Sequence, residues 1–179
     1  QPLDGQNLYL NISPGAGAEA FRFDGRVDFS AGKGGYAGSA SLLSDSTGGE
    51  IEILAAGAEA TAGFAGISLH ADDLNALSAR RLTIGAKPSV TYGQRGNYVE
   101  FSDTDKSFGI TLREGAVLRA AEVFLVTGWA RETGPGAITV EAGAGIRTLG
   151  MGKAPFDSTD GFIYTPQTLQ FGRGGSMVA

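Results

Sequence analysis

Apolar and polar residues alternate along much of this chain in short bursts, and one burst recurs as a phrase. Each copy opens on glycine, alternates aliphatic or β-branched with polar residues, and closes on a small-residue turn. The first copy is Gly49-Glu50-Ile51-Glu52-Ile53-Leu54-Ala55-Ala56-Gly57-Ala58, and the second is Gly66-Ile67-Ser68-Leu69-His70-Ala71. The third is Gly109-Ile110-Thr111-Leu112-Arg113-Glu114-Gly115-Ala116, and the fourth is Gly136-Ala137-Ile138-Thr139-Val140-Glu141-Ala142-Gly143-Ala144. A period of two is that of a strand with one apolar and one polar face. A strand this short cannot bury its apolar face alone, so the copies are expected to stack on one another. Ile51, Ile53, Ile67, Leu69, Ile110, Leu112, Ile138 and Val140 are the expected core ladder. Glu50 and Glu52 fall on the opposite, outward face, where solvated charge is the default.

Further pulses at Leu8-Tyr9-Leu10, Ser39-Ala40-Ser41-Leu42-Leu43, Leu82-Thr83-Ile84, Tyr98-Val99-Glu100-Phe101 and Val123-Phe124-Leu125-Val126 complete an all-β pattern. Sandwiches, barrels and parallel β-helices share this rhythm of short strands and turns. Likeness between whole units separates them, because a solenoid requires it and a sandwich does not. The expected fold is therefore a parallel β-helix in one continuous domain, with a β-sandwich as the alternative. Residues 1–48 read as irregular glycine-rich β coils, and residues 49–179 as β-helical repeats. An insertion at about 87–106 reads as a loop or hairpin projecting from the stack. The stretch from Ala71 to Arg81 imitates a helix, with Asp72 and Asp73 in front and leucines at 74 and 77. It is read instead as turn plus strand, with Leu74, Leu77, Leu82 and Ile84 pointing inward.

Composition supports the strands. Twenty-nine glycines and only 18% charged residues suit tight turns better than helices. A hydrophobic fraction of 42% argues against disorder. The net charge of −5, with 14 Lys and Arg scattered along the chain, leaves no footprint for a nucleic acid. No apolar run is long enough for a membrane-spanning helix. With no cysteine, disulfide frameworks and thiolate metal sites are excluded.

Chemistry-bearing residues are few. Asp103, Asp105, Ser107 and Glu114 sit where an EF-hand-like loop would want oxygen ligands. Phe108, however, occupies the position that needs glycine for the sharp turn, and a strand phrase follows at once, so no metal is expected. The run from Gly32 to Gly38 is a glycine-rich turn without the following helix that a phosphate loop needs. His70 lies near Asp72 and Asp73, but no nucleophile elbow accompanies it. Carboxylates at Asp24, Asp28, Asp45, Glu50, Glu52, Glu100 and Glu141 are available for glycoside chemistry, yet spacing does not make them converge. The expectation is a chain that is not an enzyme and that takes no cofactor.

Several pieces together resemble the shaft of large bacterial exoproteins of the filamentous haemagglutinin type. They are Leu74-Asn75-Ala76-Leu77 leading into Leu82-Thr83-Ile84-Gly85, then the third and fourth phrases, with Gly115-Ala116-Val117-Leu118-Arg119-Ala120-Ala121-Glu122-Val123 between them. The resemblance spans Gly66 to Gly150. It implies a right-handed parallel β-helix and an interior segment of a two-partner-secretion adhesin, secreted or held at the bacterial cell surface. By the same resemblance the partners are an outer-membrane transporter and a host or neighbouring-cell surface. The repeats themselves imply neighbouring coils of a parent protein, or a second copy stacked end to end. The secretion-domain Asn-Pro-Asn-Leu-type motifs of that family are missing here. The expected work is a structural shaft. The alternatives are a β-helical polysaccharide-active enzyme or a subunit of a self-assembling fibre or capsid.

Overall fold

A computed structural model describes residues 3–47, 49–93, 96–103, 106–128, 138–152, 162–166 and 177–178. Its strands begin with β1 (Leu8–Ile12), β2 (Ser39–Ser44), β3 (Gly49–Leu54), β4 (Ile67–His70), β5 (Arg81–Ile84), β6 (Lys87–Gly93) and β7 (Gly96–Ser102). They continue as β8 (Ser107–Leu112), β9 (Val117–Arg119), β10 (Glu122–Val126), β11 (Ile138–Val140), β12 (Gly145–Arg147), β13 (Phe162–Pro166) and β14 (Met177–Val178). One short helix, α1 (Ala71–Ala76), separates β4 from β5.

The four recurring phrases form a single sheet in the order β11-β8-β3-β4, every neighbour parallel. Its register aligns Ile67, Ile51, Ile110 and Ile138 in one row, and Leu69, Ile53, Leu112 and Val140 in the next. A second sheet aligns Leu10, Leu42, Ile84 and Leu125 across β1, β2, β5 and β10, again in parallel. Apart from Val140, both sets of aliphatic side chains meet in one core with Leu74, Leu77 and Leu118. From β8 the chain passes to β9, to β10 in the second sheet, back to β11, and on to β12, which pairs with β9. Strand pairing also runs across position 48, since β1 and β2 share a sheet with β5 and β10.

Three expectations need correction. Val140 is half exposed, at 50%, rather than core, and Ile138 is only partly buried. β11 is the outermost strand in its sheet order and pairs with β8 alone among the described strands, so alternation sets its face but stacking covers only one side. The stretch from Ala71 is a helix for six residues rather than a turn. Asp72 and Asp73 sit in its first turn, where a carboxylate favours the helix dipole. Leu74 and Leu77, one turn apart, bury together, and Ser78 at φ 55° ends it. β6 and β7 pair antiparallel, but the root of this pair does not project. Val99 and Phe101 are buried against Phe124, whose ring lies 5.2 Å from that of Phe101. Lys87 Nζ sits 4.6 Å above the Tyr9 ring, so the root of the pair lies on the outer face of the second sheet.

Helix α1 interrupts the ladder next to β9, and one side chain bridges the gap. Asn75 donates from Nδ2 to the Val117 carbonyl at 2.8 Å and accepts the Arg119 N–H at 2.7 Å. These are the two bonds a neighbouring strand residue would make. Asn75→Leu should therefore cost about 1–3 kcal/mol in a denaturant melt, the scale of backbone groups deprived of partners. A loss below a few tenths would mean that solvent replaces both bonds without penalty.

Candidate functional site

The densest set of polar contacts lies on the outer face of the phrase sheet. The central polar residues of the phrases, Ser68, Glu52, Thr111 and Thr139, align in one row across β4, β3, β8 and β11. One step further, Leu54 is in register with His70, and Arg113 and Glu141 continue β8 and β11 through the bonds Arg113 N–H to Ile53 O and Glu141 N–H to Leu112 O.

Glu52 was expected to be solvated and is instead fully buried, at 0% exposure. Residues 55–66 fold back over β3, and the carboxylate accepts from Thr61 N–H at 3.0 Å and Thr61 Oγ1 at 2.7 Å. It also accepts from Ser68 Oγ at 2.7 Å and from Arg113 Nε at 2.8 Å. Burial alone would raise its pKa. The Thr61 and Ser68 donors, with Arg113, outweigh that and hold it below the ordinary glutamate value.

Arg113 joins three rungs of the sheet. Its Nε bonds Glu52, its Nη1 bonds Glu141 Oε1 at 2.8 Å, and its guanidinium lies 5.8 Å from the Phe64 ring centre. Glu141 is held low by Arg113 first and by the Glu114 N–H second, while its hydrogen bond to Glu141 raises Arg113 further above its ordinary value. Both carboxylates are thus occupied as acceptors by fixed donors. Glu52, with four donors on its two oxygens, and Glu141, with two, hold Arg113 between them as a clamp. Position held a signal for it: Arg113 and Glu141 are opposite charges at matching places in successive phrases, 28 residues apart.

The other candidates resolve locally. His70 Nε2 hydrogen-bonds the Ala58 carbonyl at 2.8 Å, and its Nδ1 is 3.8 Å from Asp73, so it pins the 55–66 segment to α1. Asp103 is exposed at φ 56° before β8, Ser107 is buried at the start of β8, and Glu114 is exposed in the turn beyond its far end. The extended strand between Ser107 and Glu114 keeps them from one ion, and Asp105 lies outside the described residues. Among the described residues no group of three or more metal-ligating side chains gathers. The glycine run 32–38 packs backbone to backbone against residues 3–6, and a Cβ on Gly38 would collide with the Gln6 carbonyl oxygen. Beside it, a polar groove of about 410 Å³ opens between Asp28 and Ser30 on one wall and Ser78 and Arg80 on the other. Asp28 is tied to Ser30, whose hydroxyl and amide lower its pKa, and Arg80 to the Met151 carbonyl. Of the remaining carboxylates, Asp45 bonds Ser13, and Glu100 stands on β7.

No protein-family model, curated protein or solved structure matches this chain. The likeness to haemagglutinin-type exoproteins therefore rests on the sequence phrases alone.

Proposed function

We propose that this chain is a segment of a parallel β-helix, right-handed as in the exoproteins it resembles, and that its work is mechanical. It would serve as a stiff shaft in a secreted or surface-displayed bacterial protein, bearing the β6–β7 pair as an accessory surface. The observation that carries this reading is the single isoleucine row, Ile67-Ile51-Ile110-Ile138, in one all-parallel sheet. Units that bury their apolar faces only against their neighbours form a quasi-linear stack. The Glu52–Arg113–Glu141 clamp adds charge-assisted ties along the same axis. Eight of the ten described strand ladders are parallel, which weighs against a sandwich-type assembly subunit. The burial of Glu52 under four donors weighs against its serving as the catalytic carboxylate of a polysaccharide-active enzyme. An outer-membrane transporter and a cell-surface receptor belong to the proposal through the resemblance alone.

Force spectroscopy along the stack tests it. A shaft should yield in steps set by the spacing of its paired strands, among them the 28 residues between Ile110 and Ile138 and the 59 between Ile51 and Ile110. One all-or-none rupture of the whole chain would count against a stack of coils.

A further inference from the structure

We propose that residues 55–66 form a flap held shut by the Glu52 carboxylate, and that acid opens this flap while the core beneath stays folded. The proposal rests on the flap's contacts and not on the shaft reading. No residue from 55 to 65 is buried, so little apolar burial holds the segment down. Its internal bonds are two tight turns, Ala58 N–H to Ala55 O and Phe64 N–H to Thr61 O. Gly57 and Gly63 both adopt positive φ, at 68° and 75°. Its outside ties are Thr61 to Glu52 through both amide and hydroxyl, the Ala58 carbonyl to His70, Phe64 to the guanidinium that Glu52 orients, and, at its root, the Gly66 carbonyl to the Gly15 N–H. Away from that root, most of the attachment therefore runs through one carboxylate.

Glu52 is faced by Arg113 from the end of β8, which Glu141 shares from the end of β11. His70, in register with Leu54 two residues on, stands on β4 with Asp73 of α1, Glu50 precedes Glu52 on β3, and Glu59 is carried by the flap itself. Protonating His70 leaves its Nε2–H donor to Ala58 in place and brings an imidazolium beside Asp73, so that event does not loosen the flap. Protonating Glu52 does. A neutral carboxyl loses the charge-assisted bond to Arg113 and turns one acceptor oxygen into a donor, opposite groups that are themselves donors. Glu52 is depressed in the folded chain, so its contribution is fully present above the ordinary glutamate value. It is lost as pH falls through the lower folded value. Opening uncovers Leu54, an apolar residue on this outer face that is now 2% exposed.

Backbone hydrogen exchange on the whole chain, corrected for intrinsic rates, decides the matter. Below the ordinary glutamate range the Thr61 amide should lose protection by roughly 10- to 100-fold, the equivalent of one charge-assisted hydrogen bond. The amides of Leu42, Ile53 and Ile84 should keep theirs over that interval. Glu52→Gln should show the fast Thr61 exchange already at neutral pH, with its pH dependence gone. Thr61→Val, which removes one donor to the carboxylate and leaves the core untouched, should move the opening to higher pH. Loss of flap protection only together with the core amides would overturn the proposal. So would a Thr61→Val protein that opens at the wild-type pH.

Discussion

Ile110→Ala is expected to lower the unfolding free energy by about 3–5 kcal/mol, near the upper end for an aliphatic truncation in a packed interior. Ile110 is 1% exposed and lies between Ile51 and Ile138 in the shared row. Its Cδ1 also reaches Gly85, at the corner between β5 and β6, where a Cβ would come within 3.0 Å of it. The alanine would therefore open a void bounded by two rungs and a corner, with backbone on one side that cannot easily close in. Val140→Ala, on the same face in the next row but half exposed, should cost under about 1 kcal/mol because half of its surface already meets water. Equilibrium urea melts of the two variants check this. Equal losses would show that the outer strand is as well covered as the inner ones and that the sheet order misstates where the core ends.

These two positions show what was legible in the chain and what was not. Alternation within a phrase told which side chains face inward, because the period of a strand leaves no freedom once one face is apolar. Likeness between phrases told that they share one sheet and in what register, since only one alignment puts Ile67, Ile51, Ile110 and Ile138 together, but not their order, because β3 lies between β4 and β8. Neither pattern says how many neighbours a strand has, so Val140 read like Ile53 although one lies at the margin of the sheet and the other inside it. Nor does alternation say what folds back over the polar face. Residues 55–66 read as a small-residue turn, and nothing in Ala55-Ala56-Gly57-Ala58 announces that Thr61 will close on Glu52. Helix α1 was misread for a related reason. Six residues are too few for periodicity to decide between helix and strand. In the fold, Asn75 on the helix makes the two bonds to β9 that a strand residue would make.

Glu52→Ala should be nearly as costly as the core truncation, about 2–4 kcal/mol, although it changes a residue whose position in the phrase is that of a solvated charge. The alanine leaves Thr61 N–H, Thr61 Oγ, Ser68 Oγ and Arg113 Nε facing one another without their common acceptor. Arg113 is 27% exposed, so water can reach part of its guanidinium, and its second bond to Glu141 survives. That partial rescue is why the loss should stay short of what a wholly buried ion pair would give. Arg113→Met, keeping the stem over Phe64 while removing the charge, should cost less, about 1–2 kcal/mol, since Glu52 retains its three donors from Thr61 and Ser68. The two changes share a contact, so the double variant should be less destabilised than the sum of the singles, by about 0.5–2 kcal/mol. A Glu52→Ala loss within about 0.5 kcal/mol, the usual range for a surface substitution, would mean that the segment 55–66 does not close over the carboxylate in solution. Strict additivity in the double variant would mean that Arg113 and Glu52 hold their places independently.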